Sequence, residues 1–67
     1  MDLCKCRILL NNNEVVMYHS VEQSLGFIES QIDEHITAIE IDATDGLHIH
    51  RYRSHDIEES IENLMNL

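Results

Sequence analysis

The sequence predicts an α+β domain: two β-hairpins, each followed by a helix, in the order ββαββα. The four strands form one antiparallel sheet, with two helices packed on one face. Three observations predict it. Apolar and polar residues alternate over residues 4–10, which is the period of a half-buried strand, and β-branched and aromatic residues gather over 14–19. Two segments, opening at Ser20 and Asp56, change to the helical period behind a capping residue. The chain is 43% apolar, enough Ile, Leu and Val to fold, although 13 acids against 4 bases leave a net charge of −9. Its 67 residues make one domain at most.

Residues 4–10 (CKCRILL) set Cys4, Cys6, Ile8 and Leu10 on one face, and Lys5, Arg7 and Leu9 on the other. Residues 14–19 (EVVMYH) are β-branched and aromatic, as strands favour. A two-residue Asn12-Asn13 turn is chemically sensible because Asn tolerates positive φ. It pairs Leu10 with Val15 and Ile8 with Met17, apolar against apolar, and sets Cys6 opposite His19. Ser20 followed by Gln23 is a capping box, so a helix starts there. Val21, Leu25, Ile28 and Ile32 form its stripe to about residue 34, with Gly26 inside it. Residues 36–42 and 47–53 make the second hairpin. A three-residue loop, Thr44-Asp45-Gly46, gives Gly46 the left-handed position and pairs Ala43 with Leu47 and Ile41 with Ile49. Glu40 then faces His50, and Asp42 faces His48, on the outer side. The last helix runs from its cap Asp56 to about Asn66, with Glu59 three residues on and a stripe of Ile57, Ile61, Leu64 and Met65. Segments 20–31 and 56–67 align at an offset of 36, with Glu22/Glu58 and Ser24/Ser60 identical. Duplication of a ββα unit, 4–34 and 36–67, is one reading of this likeness; the other is that two amphipathic helices resemble each other anyway.

A domain of this size draws only about 3–5 kcal/mol from one core, so something else normally supports it. Cys4 and Cys6 lie on one strand face in a geometry that does not favour a bridge. Free thiols suit a reducing compartment. With no apolar leader and no long apolar run, the chain reads as cytoplasmic, its stability completed by a homodimer or a partner. Cys4, Cys6, His48 and His50 have the residue types of a zinc site, but strand parity puts the thiols inside and the imidazoles outside, so no metal and no cofactor is expected. His48 and His50 beside Asp42 and Glu40 read either as a pH-dependent face or as ordinary cross-strand pairs. Cys6 and His19 are the nearest approach to a nucleophile and base. No Gly-rich oxyanion loop accompanies them and the domain has little room for a cleft, so no catalytic residue is assigned.

Charge is more informative. All four bases lie at positions 5, 7, 51 and 53. Eight of the 13 acids, Glu22, Glu29, Asp33, Glu34, Asp56, Glu58, Glu59 and Glu62, fall on the two helices. This argues against direct binding of nucleic acid or an anionic membrane, which needs Lys and Arg. A dense acidic face can instead imitate phosphates and steer a basic partner. The outer sheet face, with Arg7, Leu9, Val16, Tyr18, His48, His50 and Tyr52 beside Lys5, reads as a second contact or dimer interface. In size and charge the chain resembles the class of small acidic inhibitors that phages make against host enzymes, anti-CRISPR and nucleic-acid-mimic proteins among them. That resemblance implies a non-enzymatic binding protein that blocks a basic, nucleic-acid-handling surface of a larger protein. The alternative is a structural or regulatory homo-oligomer joined through the exposed sheet face.

Overall fold

The computed structural model describes residues 1–31 and 35–67. The elements are β1 (Asp2–Leu10), β2 (Val15–Tyr18), α1 (Val21–Ser30), β3 (Ile36–Thr44), β4 (Ile49–Ser54) and α2 (Ile57–Met65). The strands form one antiparallel sheet in the order β2-β1-β3-β4. The first strand of each hairpin is therefore central and the second is at an edge. Both helices pack on one face. Cys6, Ile8, Ile36, Ile39 and Ile41 of the sheet meet Ile28 of α1 and Leu64 of α2 in a closed core. Val21, Leu25, Ile57 and Ile61 of the expected stripes are half-buried against it, whereas Met65, expected on the second stripe, is exposed. The Gln31 N–H donates to the Ile28 carbonyl at the end of α1. Ile32, Asp33 and Glu34, expected on the stripe and the acidic face, lie outside the described residues.

The expected faces of β1, apart from Cys4, and of β3 hold, but those of β2 and β4 are exchanged. Between β1 and β2 the loop has three residues, not two. Leu10 N–H donates to the Glu14 carbonyl (2.9 Å), Asn13 N–H donates to the Leu10 carbonyl (3.2 Å), and Asn13 sits at φ 68°. Asn13 thus takes the left-handed place in a loop built on a tight turn. Cys6 faces Tyr18, Arg7 faces Met17 and Ile8 faces Val16. This is one residue away from the expected register, and side chains alternate with a period of two, so every β2 residue changes sides. Val16 and Tyr18 lie on the helix side, where Tyr18 packs against the core, and Val15 and Met17 lie outside.

The β3–β4 loop has four residues. The Asp45 N–H donates to the His48 carbonyl (3.2 Å), and the Asp45 carboxylate accepts the N–H groups of Leu47 (2.9 Å) and His48 (2.8 Å). Gly46 has a left-handed φ of 97°, as expected, although the loop around it is longer. Ile41 faces Tyr52, Asp42 faces Arg51 and Glu40 faces Arg53. The expected pairs of Glu40 with His50 and Asp42 with His48 do not form. Tyr52 joins the core side instead of the outer side.

The two halves start their helices alike. Ser20 Oγ accepts the Gln23 N–H (3.4 Å), and Asp56 accepts those of Glu58 (2.9 Å) and Glu59 (3.5 Å). Four residues on, buried Ser24 and Ser60 donate back to the carbonyls of Ser20 (2.8 Å) and Asp56 (3.0 Å). Just before each cap stands a histidine. His19 Nδ1 lies 2.9 Å from the Cys4 carbonyl and His55 Nδ1 lies 3.1 Å from the Thr37 carbonyl. Cys4 and Thr37 are themselves the extra residues where the β1–β3 ladder shifts register. The bulge at Cys4 lets Leu3, not Cys4, pair with Ala43 over the core, so the expected inward position of Cys4 is not taken up. The segments His19–Ser24 and His55–Ser60 thus share the pattern H-x-x-E-x-S, with each His and Ser in the same structural place.

Candidate functional site

The open face of the sheet, opposite the helices, collects every Lys and Arg of the chain. The cause is the register. Lys5 and Arg7 alternate outward on β1, Glu40 and Asp42 on β3, and Arg51 and Arg53 on β4, each pair two residues apart. Asp42 is 4% exposed. It accepts two hydrogen bonds from Arg51 (Nε to Oδ1, 2.8 Å; Nη2 to Oδ2, 3.2 Å) and has Arg7 at 3.7 Å and Lys5 at 3.9 Å. Glu40 accepts from Arg7 Nε (3.0 Å) and from Arg53 Nη1 (2.9 Å). The Arg51 guanidinium, helped by Arg7 and Lys5, holds the Asp42 carboxyl below its ordinary value despite burial. Arg7, with Arg53 and Arg51, does the same for Glu40. The pair with Asp42 in turn raises Arg51. Four cations against three carboxylates, the third being exposed Asp2 opposite Thr44 at the strand end, leave this face locally positive.

Apolar residues flank the charged ladder. Val15 (57% exposed) and Met17 (50%) lie at the β2 side, and Ile49 (70%) at the β4 side. Of the residues expected here, Arg7 and Leu9 are present. Val16, Tyr18 and Tyr52 are on the helix side. His48 is in the loop. His50, opposite Ala43, is exposed on the helix side of β4. It bonds Asp45 (Nε2 to Oδ2, 3.1 Å) and meets His48 edge-on at 6.5 Å. The two backbone N–H groups, with His50, draw the Asp45 carboxyl well below the usual range. Sequence reading missed the ladder and the exposed Val15, Met17 and Ile49. The spacing of two shared by Glu40/Asp42 and Arg51/Arg53 was the signal that could have selected the register.

The helix side has the opposite character. Glu22 and Glu29 of α1, and Glu58, Glu59 and Glu62 of α2, are exposed, and among the described residues none of them meets a cation. Asp56 is also exposed, but its carboxylate is occupied as the α2 cap. Neither helix has a basic residue in its last turn, so nothing local offsets this charge.

Cys6 lies in the core beside the Ser24 hydroxyl, and burial raises its thiol pKa. It faces Tyr18 rather than His19, whose ring is held by the Cys4 carbonyl. Two open hollows flank the Asn11–Asn13 loop. Glu14 lines one and His35 the other, so neither offers an acid–base pair. Among the described residues no three His, Cys, Asp or Glu side chains gather as metal ligands, and no helix is long and apolar enough to cross a membrane. No protein family matches the chain, and no curated protein or solved structure is significantly similar to it.

Proposed function

We propose that the chain is a non-enzymatic binding protein whose helix side covers a basic, nucleic-acid-handling surface of a larger protein. One observation carries this reading. The cations are all on the far side of the sheet, tied to Glu40 and Asp42, so the carboxylates of α1 and α2 face solvent without compensation. Such a surface attracts Lys and Arg groups arranged to hold phosphates, and it speeds their encounter. Glu58, Glu59 and Glu62 on α2 are the expected main contacts, with Glu22 and Glu29 of α1 extending the surface.

The test is capture from a nuclease-treated lysate at low and high salt, read by mass spectrometry. A nucleic-acid-binding protein retained in stoichiometric amount and released by salt is the expected result. Exchanging Glu58, Glu59 and Glu62 for Gln should abolish capture. Gln is preferred to Lys because a cation in the first turn of α2 would oppose the helix dipole and confuse binding with folding. Undiminished capture by a folded triple variant would refute the reading.

A further inference from the structure

The two edges of the sheet are built differently. On β4, Arg51 and Arg53 stand on the outer face of the edge. Charged side chains there discourage pairing with another chain. At the other edge β2 is Val15–Tyr18, without a charged residue, and its outer positions are the exposed Val15 and Met17. Its shortness alone blunts it. Backbone groups face out as well. Leu10 N–H bonds the Glu14 carbonyl, so alternation places Val16 and Tyr18 in the positions bonded to β1. The N–H and C=O groups of Val15 and Met17 then turn to the open edge.

We propose that two copies of the chain join β2 to β2, antiparallel, across a two-fold axis at Val16, making one continuous eight-stranded sheet. In this register Val15 meets the partner subunit's Met17 through paired N–H···O=C bonds, twice over, and Val16 meets the partner subunit's Val16. Val15, Val16 and Met17 then all face apolar residues, and only at the ends of the seam does Tyr18 lie opposite the partner subunit's Glu14. On the helix side the seam is continued by Tyr18, whose ring lies 5.7 Å from that of Phe27. A shift of one residue would mix the faces, and a shift of two would set Val15 against the partner subunit's His19 in one direction or Val16 against the partner subunit's Glu14 in the other, so only the register centred on Val16 gives Val15, Val16 and Met17 apolar partners together. The occupant is a second copy because the strand satisfies its own requirements in this pairing and presents no charge to select another sequence.

Each copy carries −9, so the copies repel at a distance while the seam attracts at contact. Salt screens the former within a Debye length of about 8 Å at physiological strength and leaves the latter. Self-association is thus expected to strengthen with salt, the opposite of carboxylate-mediated capture. It also uses none of the helix carboxylates, so it stands or falls apart from the reading above. A seam one short strand long lies at or below the roughly 1,000 Å² of specific interfaces, the size of weak and transient contacts, so the test is centred on a dissociation constant of about 10 μM.

Sedimentation equilibrium over roughly a hundredfold range of concentration around that value, at low and high salt, tests the proposal. The expected result is a monomer–dimer equilibrium shifted to dimer by salt. Met17→Glu puts a carboxylate beside Arg7, its cross-strand neighbour, so the fold keeps a partner for it. Val15→Lys is a second change at a half-exposed site. Each alone should weaken the dimer more than about tenfold, or 1.4 kcal/mol, with circular dichroism unchanged. An equimolar mixture of the two variants should regain it, because the register sets the new carboxylate of one chain against the new ammonium of the other. A wild-type monomer at every concentration, a dimer indifferent to both changes, or a mixture that stays monomeric would each overturn the proposal.

Discussion

Asp42→Asn removes the carboxylate on which three cations converge. Arg51 loses a two-point, charge-assisted contact, and Arg7 and Lys5 lose a neighbour at 3.7 and 3.9 Å. The amide that replaces it presents a donor where only acceptors fit. Hydrogen bonds involving a charged group contribute about 1.5–3 kcal/mol. Breaking a wholly buried ion pair costs about 3–5 kcal/mol. Here Arg51 and Lys5 reach solvent and regain water, so a loss of about 2 kcal/mol is expected. A domain of 67 residues has roughly 3–10 kcal/mol to lose, and the melting point should fall by roughly 8–16 °C. Urea and thermal unfolding followed by far-UV circular dichroism measure it. The informative companion is Glu62→Gln. It removes the same unit of charge, but on α2, where Glu58 and Glu62 repel at i, i+4, so it should stabilise by about 0.2–0.5 kcal/mol. If both variants moved stability in the same direction, or if Asp42→Asn stayed within about 0.5 kcal/mol of wild type, the ladder would not be holding the sheet as argued.

Other outcomes follow from the same geometry. Asp42 and Glu40 titrate below their ordinary values of 3.8 and 4.5 in the folded chain. Their contribution is therefore complete above about pH 4.5 and lost as pH falls through the lowered folded values. Asp42→Asn should flatten that part of the acid-stability profile; an unaltered slope in denaturant titrations would contradict the assignment. Asp56→Ala removes the cap that accepts from Glu58 and Glu59 and should cost about 1 kcal/mol, with Asp56→Ser recovering most of it. The urea midpoint reads both. In native buffer an alkylating reagent should modify Cys4 and spare Cys6, whose thiol is buried and held protonated. Equal modification before unfolding, by peptide mass mapping, would show that the core opens.

The elements were legible in the sequence because each carries its own local signal. Ser20 and Asp56 announce their helices, and the parity of Cys6 and Ile8 identifies the buried side of β1. Register depends on loop geometry, which is less local. Three asparagines in a row permit a two- or a three-residue loop, and the choice rests on Asn13 accepting φ 68°. The second loop owes its fourth residue to the Asp45 carboxylate folding back on Leu47 and His48. Either slip shifts the pairing by an odd number of residues, so whole strands changed sides, and the aromatic patch of Tyr18 and Tyr52 went with them. The acidic helices needed no register and were legible from charge alone. The H-x-x-E-x-S repeat was partly visible, as Glu22/Glu58 and Ser24/Ser60. The roles of His19 and His55 were not, because each meets the carbonyl of a bulged residue distant in sequence.

Cations on one side of the sheet and free carboxylates on the other give the molecule an electric moment across its thickness. In the field of a basic surface it experiences a torque as well as an attraction, and the torque turns the helices forward before contact. The need to meet in one orientation is what brings typical protein association down from the diffusion limit to about 10⁵–10⁷ M⁻¹s⁻¹. A built-in moment relaxes that requirement over the last Debye length. A chain of equal net charge with its Lys and Arg scattered would be drawn in as strongly, but it would arrive facing every way.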